Sequence, residues 1–319
     1  MMKKSPIEWC DINWNPVTGC RNNCPFCVSL QRLQHFKGDN RLYMSSELIL
    51  KDEDKGLFVL TKPFPSVGNN AIPAPTGGLP TFHPYRLPMI ATRWKPANVF
   101  VCHCGDLFGE WIPTEWILEV FEACKKAPWH NYMFLTMNPK RYAELMEAGH
   151  LIQADNFWYG TRLTKREDVF TADGYHTFIC MEPMGLFSER MDIPNVEWII
   201  LGAYQRLKRQ WIESVMERKG DIPVFMIGSK LFKEIWDAPL VQEYPPLLYR
   251  PKEKDLPRCS KCKYCYSKQQ GKRGMWRACR HRAIIKEDKN PNGRHIDGRF
   301  ARVSPQWCPK RTGTNWRLK

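Results

Sequence analysis

Cys20-Arg21-Asn22-Asn23-Cys24-Pro25-Phe26-Cys27 carries three cysteines with three and then two residues between them. So short a loop brings its thiols to one side of the chain. It can present three thiolates to one iron–sulfur cluster, and a cubane held this way keeps one iron without a protein ligand. That open iron is free to bind and activate a small molecule. The plainer readings of the same residues are a zinc knuckle and unrelated buried thiols, since free cysteine often packs as a small hydrophobe.

Outward from the loop, 319 residues at 43% hydrophobic suffice for one large domain and a small one. No apolar run is long enough to cross a membrane, and the first ten residues lack a secretory pattern. The expectation is a cytoplasmic protein with no membrane partner, in which clustered cysteines bind metal rather than form disulfides. Charge divides the chain sharply. Residues 251–319 hold 20 Lys and Arg against 5 Asp and Glu, which is the whole net charge of +15. Interleaved with Trp276, His281, His295, Phe300, Trp307 and Trp316, these cations read as a surface for nucleic acid, DNA above all. A solvated basic tail is the bland alternative.

Before the loop, residues 7–16 read as a short strand or extended lead-in. After it, Val28, Leu30, Leu33 and Phe36 suit a helix stopped by Gly38, its first amides aimed at the cluster. Residues 61–88 are rich in Pro and Gly and predict a long irregular loop, in which Arg86 and Arg93 are candidate phosphate contacts. From Ala97 an alternation begins. Apolar runs at Asn98–Cys102, Tyr132–Thr136, Phe157–Gly160, Thr177–Met181, Trp198–Gly202 and Pro223–Ile227 read as strands. Helices are expected at Pro113–Lys126, Pro139–Ala148 and Gln210–Arg218. Continuously apolar strands alternating with helices predict a parallel sheet. The fold class is therefore α/β, a partial (β/α)6-7 TIM-like barrel over residues 1–250 with a small Cys-rich basic module over 251–319.

Chemistry in such sheets sits at the carboxyl ends of the strands. Those ends supply Asp106, Thr136 and Glu182 as candidate cofactor contacts, with Phe26 from the cysteine loop. Glu182 has an alternative as a salt-bridged rim residue. Cys102 and Cys104 alternate across one strand end, so both are candidates to face the pocket and donate a hydrogen atom, as is Tyr204; plain packing is the competing role for the two thiols, and Cys124 and Cys180 read as core. Beyond residue 251, Cys259, Cys262 and Cys265 are two residues apart, with Cys279 and Cys308 further on. This pattern suits either zinc, as the staple of a small module, or an auxiliary iron–sulfur cluster.

Several stretches of residues 6–250 resemble a phage- and prophage-associated branch of the radical S-adenosylmethionine superfamily. They are Ile7-Glu8-Trp9, Trp14-Asn15-Pro16-Val17-Thr18-Gly19-Cys20, Asp106-Leu107-Phe108, Phe134-Leu135-Thr136, Met181-Glu182-Pro183, Trp198–Gly202 and Val224-Phe225-Met226. The resemblance implies that Cys20, Cys24 and Cys27 bind a [4Fe–4S] cluster whose open iron chelates S-adenosylmethionine. It further implies one-electron cleavage to a 5′-deoxyadenosyl radical, hydrogen abstraction from a substrate, an electron donor such as flavodoxin, and a bacterial or phage-infected cell. The chain departs from the pattern at Met137, where a lysine is expected, and at Ala203-Tyr204-Gln205, where a Gly-Glu-Ser-like turn is expected. Both alter the substrate side. A DNA base is the expected substrate, for example an amino-acid-decorated thymine undergoing isomerisation in phage DNA hypermodification; repair of a damaged base is its neighbour. A radical maturase of a peptide or small molecule is the competing enzyme, and a metal-bearing nucleic-acid-binding protein the non-catalytic alternative.

Overall fold

The computed structural model describes residues 5–27, 48–52, 55–63, 76, 78–93, 95–165, 168–204, 206–248, 259, 262–269 and 275–296. The chain divides into two compact units, Met1–Pro245 and Pro246–Lys319. The helix expected after Cys27, as well as Gln205, Phe300, Trp307, Cys308 and Trp316, lies outside the described residues.

The strands of the first unit are β1 (Ile12–Trp14), β2 (Val17–Thr18), β3 (Leu48–Asp52), β4 (Leu57–Leu60), β5 (Thr81–Phe82), β6 (Asn98–Val101), β7 (Asn131–Thr136), β8 (Phe157–Arg162), β9 (His176–Met181), β10 (Trp198–Leu201) and β11 (Val224–Met226). Its helices are α1 (Met89–Thr92), α2 (Thr114–Lys125), α3 (Lys140–Glu147), α4 (Arg209–Arg218) and α5 (Lys230–Ile235). One sheet runs β1-β6-β7-β8-β9-β10-β11, and each of its neighbouring pairs is parallel. Strands β6, β10 and β11 are buried at every residue, as a sheet covered on both faces requires. Outside it, α2 buries Trp116, Ile117, Val120, Phe121, Ala123 and Cys124, a single stripe at helical spacing. Phe121 of that stripe meets Phe134 of β7 edge-on, ring centroids 5.5 Å apart.

The sheet curls. Trp9, 1% exposed, has its ring centroid 4.5 Å from Phe100 on β6, 6.3 Å from Phe178 on β9 and 6.2 Å from Trp198 on β10. In a flat sheet β6 and β10 would stand about 19 Å apart, four strand spacings, beyond the reach of one indole. The outer strands approach in the same way. Glu8, just before β1, accepts hydrogen bonds through Oε2 from Gly228 N, just after β11, and from Gln242 Nε2, on the segment that pairs with β11, both at 3.0 Å. Gly160 permits this curvature inside the barrel, since a Cβ there would lie 2.3 Å from the Phe178 ring. The seven strands thus form a partial barrel with Trp9 as its plug. Residues 241–243 cover the β11 edge by pairing antiparallel to it, Met226 N donating to Val241 O at 2.7 Å and Glu243 N to Val224 O at 2.8 Å.

A second sheet, β2-β5-β4-β3, flanks the barrel. The expected irregular loop over 61–88 is thereby corrected at its carboxyl end. Thr81–Phe82 is a strand, antiparallel to β2 and parallel to β4, and Pro84–Arg86 is a 3-10 turn. A two-residue strand has too little periodicity to be read from sequence, and its pairing partners are distant in the chain.

Two thiols of this unit give it an alkaline limit. Cys10 and Cys180 are 7% and 0% exposed, and burial pushes both up to about 12 from 9.0. A pKa raised by folding contributes stability that is complete below pH 9 and is lost as pH rises through 12. The denaturation midpoint is expected to fall between pH 9 and 11, each thiol costing about 1.4 kcal/mol per pH unit. The fall should shrink in Cys180→Ala, and a midpoint level across that range contradicts the assignment.

The second unit holds the antiparallel strands β12 (Cys265–Gln269), β13 (Met275–Cys279) and β14 (Arg294–His295), with α6 (Arg282–Asp288). Cys265 stands opposite Cys279 in the β12–β13 register. Cys259 and Cys279 are buried with Ile284 and Ile296, and Cys265 packs against them.

Candidate active site

The carboxyl ends of β6, β7 and β8 and the cysteine loop form one cavity. Cys20, Asn22, Cys24, Cys27, Phe100, His103, Cys104, Gly105, Asp106, Leu135, Thr136, Met137 and Arg162 line it. The three cysteines of the loop therefore share a wall with Asp106 and Thr136, as their places at strand ends predict.

Backbone geometry sets the loop there. Strand β2 ends at Gly19, whose φ of +87° favours glycine and whose Cβ, were there one, would fall 2.2 Å from Leu79 O. Gly19 N donates to Cys104 O at 2.9 Å and Cys20 N to Gly78 O at 3.1 Å. Gly105 faces Gly19 across this bridge, and a Cβ on it would lie 2.8 Å from Gly19 O. The loop is thus pinned to the end of β6. Within it, Asn23 takes φ +49° and Cys27 N donates to Cys24 O at 3.1 Å, closing the turn that carries the last two thiols.

Asp106 ties the loop to two strands. Its carboxylate, 4% exposed, accepts from Asn22 Nδ2 at 3.0 Å, Phe108 N at 3.1 Å and Met137 N at 3.1 Å. Burial raises its pKa against the opposing effect of these bonds and one with Thr136. Thr136, 1% exposed, also accepts from Asn138 N at 2.9 Å. Cys20 is pushed up to about 12 by burial first and by the nearby Asp106 charge second. Cys24 is raised by burial, with Arg162 acting in the opposite direction. Its sulfur is 3.3 Å from Met137 Sδ.

Glu182 stands beside this wall rather than on it. Arg162 donates through Nη2 to Glu182 Oε2 and through Nε to Glu182 O, both at 2.9 Å, so Glu182 is paired at the rim. The Glu182–Pro183 peptide is cis. The Arg162 guanidinium also lies 5.7 Å from the Phe26 ring centroid, and Phe26 meets Tyr204 edge-on at 6.2 Å. Arg86, by contrast, is engaged with the Asn15 carbonyl at 2.9 Å.

Cys102 and Cys104 part company. The strand stops at Val101 and Cys102 turns to φ +57°, which breaks the alternation expected of a strand. Cys102 enters the core at 2% exposure, while Cys104 lines the cavity. Cys124 and Cys180 are both fully buried, as read. Sequence reasoning missed Arg162, because the strand was ended at Gly160; a cation two residues past an apolar run was the available signal. It also missed His103 and Asn15, which lie between and before the cysteines it did single out.

Among the described residues no three His, Cys, Asp or Glu side chains stand close enough to hold a single metal ion. A cubane cluster differs from an ion in taking its thiolates at separate corners, so its three thiols need not converge on one point. The donor set fits such a cluster in kind and number. Among the described residues no helix is long and apolar enough to cross a membrane.

A family model described as "Protein of unknown function (DUF5131)" matches residues 4–305. Among solved structures, a double mutant of spore photoproduct lyase with bound AdoMet and dinucleoside spore photoproduct aligns at TM-score 0.39 and 9% identity, covering 91% of this chain and 74% of that one. Similarity that slight carries no argument. No curated protein matches the chain.

Proposed function

The chain belongs to the DUF5131 family, and from its cysteine-lined cavity we propose that it is a radical S-adenosylmethionine enzyme acting on a nucleic-acid base. One observation carries the reading: Cys20, Cys24 and Cys27, from one pinned loop, share a cavity at the carboxyl ends of a curled parallel sheet. A [4Fe–4S] cluster held by these thiolates, with S-adenosylmethionine on its open iron, supplies one-electron cleavage of the sulfonium to a 5′-deoxyadenosyl radical. The protein's part is to position and shield this chemistry. Asp106 holds the loop through Asn22, and Phe26 and Thr136 border the cofactor. The Arg162 guanidinium, set between Glu182 and Cys24, offsets the negative charge that thiolates and a cofactor carboxylate bring together.

Support for a polymer substrate comes from the charge of residues 251–319. An extruded base reaches a recessed cavity, as enzymes acting on bases require. DNA hypermodification in a phage setting, such as isomerisation of an amino-acid-decorated thymine, is the specific reaction proposed, with a flavodoxin-like protein as electron donor. Cys259, Cys262, Cys265 and Cys279, with Cys308, are proposed to hold zinc or an auxiliary cluster. Support for that site comes from the sequence, where Cys259, Cys262 and Cys265 stand two residues apart.

The test is anaerobic. Reconstituted with iron and sulfide, then given S-adenosylmethionine and a strong reductant, the chain is expected to release 5′-deoxyadenosine, detected by mass spectrometry. Duplex DNA should raise the yield. A protein that retains iron yet never cleaves the cofactor would sink the enzymatic reading and leave a cluster-bearing binding protein. Stimulation by a peptide and none by DNA would transfer the reading to a maturase.

A further inference from the structure

Tyr266 of β12 is 38% exposed, and the Arg280 guanidinium lies over its ring, 3.9 Å from the centroid. The hairpin builds this pair. Cys265 stands opposite Cys279 and Tyr266 opposite Ala278, and successive side chains of a strand alternate between its two faces. Cys265 packs against Cys279, Ile284 and Ile296, and its sulfur is 3.9 Å from Ser267 Oγ. Tyr266 and the exposed Lys268 therefore stand on the other face, away from that core. Past the strand, Arg280 N donates to Tyr264 O at 2.7 Å, which extends the ladder by one step and sets Arg280 diagonal to Tyr266. Two residues before Tyr266, the Tyr264 ring meets His281 edge-on at 4.5 Å, with Lys263 Nζ 5.2 Å from its centroid. Rings and cations thus alternate at one end of the hairpin.

This face has the chemistry that recognises unpaired nucleic acid. Aromatic rings and guanidinium planes stack on any base, provided that its neighbours in a duplex do not already cover it. A guanidinium held flat on a ring keeps its N–H edge for a phosphate. Charge complements such a partner, since residues 251–319 carry 20 Lys and Arg against 5 Asp and Glu. Asp288 is engaged by Arg294, whose Nε donates to it at 2.7 Å. We propose that Tyr266, Arg280 and Lys268 form a stacking surface for an unpaired strand of nucleic acid. A base stacks on the Tyr266–Arg280 pair, and Lys268, about 7 Å further along β12, meets a neighbouring phosphate. This rests on the polymer-substrate reading above and deepens it, because net charge by itself serves duplex and single strand alike. Enzymes that modify bases take them from single strands or out of the stack, so unpaired nucleotides belong to that chemistry.

The full chain is titrated by fluorescence anisotropy, at fixed salt, with one short labelled DNA as a single strand and as a duplex. Tyr266→Ala is expected to weaken single-strand binding about tenfold and duplex binding far less, while Tyr266→Phe keeps the wild-type affinity. Arg280→Gln should weaken single-strand binding and lower the slope of log affinity against log salt by about 0.7, one phosphate contact. Thermal midpoints equal to the wild type keep a folding defect out of the comparison. Wild-type affinity in Tyr266→Ala overturns the stacking surface, as does an equal loss for single strand and duplex. Displacement of the DNA by poly-glutamate, alike in wild type and Tyr266→Ala, overturns it in favour of an acidic protein partner. A wild type that binds neither DNA form overturns the polymer reading and this surface with it, and 5′-deoxyadenosine released without DNA would still stand for the radical chemistry.

Discussion

Cys24→Ala is expected to lower 5′-deoxyadenosine formation at least about 100-fold and to strip iron from the cavity. The size of the effect follows from the ligand count. Asp106 is saturated by Asn22, Phe108 and Met137, and the Cys104 sulfur is turned to His103, so neither offers a ready replacement. Met137 Sδ lies next to Cys24, but a neutral thioether is a poor substitute for a thiolate at an iron–sulfur centre. With two thiolates remaining, a second iron of the cluster would lack a protein ligand, and a cluster held at only two corners would not be retained. Cys124→Ala is the control. That thiol is fully buried on the core face of α2, so its removal should cost stability and leave iron in place. Because the second unit has cysteines of its own, iron is to be counted in Cys262→Ser as well. Cofactor cleavage undiminished in Cys24→Ala would remove the loop from the chemistry altogether.

How much of this was legible in the sequence depended on range. Six barrel strands and three helices were readable because each is a local pattern: a continuous apolar run for a doubly covered strand, a stripe at helical spacing for α2. The site followed from the rule that strands deliver chemistry at their carboxyl ends, which singled out Asp106 and Thr136. What stayed hidden depends on contacts between distant segments. Trp9 reads as an aromatic lead-in until Phe100, Phe178 and Trp198 surround it. The β2-β5-β4-β3 sheet includes two strands of two residues each, held by partners up to 65 positions away, as Thr18 and His83 show by their 2.8 Å bond. Cys102 was indistinguishable from Cys104 because the period of two assumes a continuing strand. One residue at φ +57° ended it and sent the two thiols to different environments.

The same long-range dependence makes Asp106 the residue whose loss should be felt most widely. Asp106→Ala is expected to destabilise the protein by about 3 kcal/mol, since it leaves the Asn22 amide and the backbone N–H groups of Phe108 and Met137 without their buried acceptor. Relief of the burial that raises its pKa offsets part of this cost but supplies no replacement acceptor. The loop would lose its tether to the ends of β6 and β7, so iron uptake is expected to fall about 10- to 100-fold, the range found when groups that orient metal ligands are removed. Asn22→Ala separates the two consequences. It breaks only the bond to the loop, so it should cost about 1 kcal/mol in stability while reproducing most of the loss in iron uptake. Thermal midpoints and iron per chain after reconstitution read both quantities on the same samples. If Asn22→Ala binds iron as the wild type does, the carboxylate supports the fold at the mouth of the barrel and the backbone bonds of Gly19 and Cys20 suffice to hold the loop. If Asp106→Ala matches the wild type in both respects, the buried carboxylate has no part in building the site.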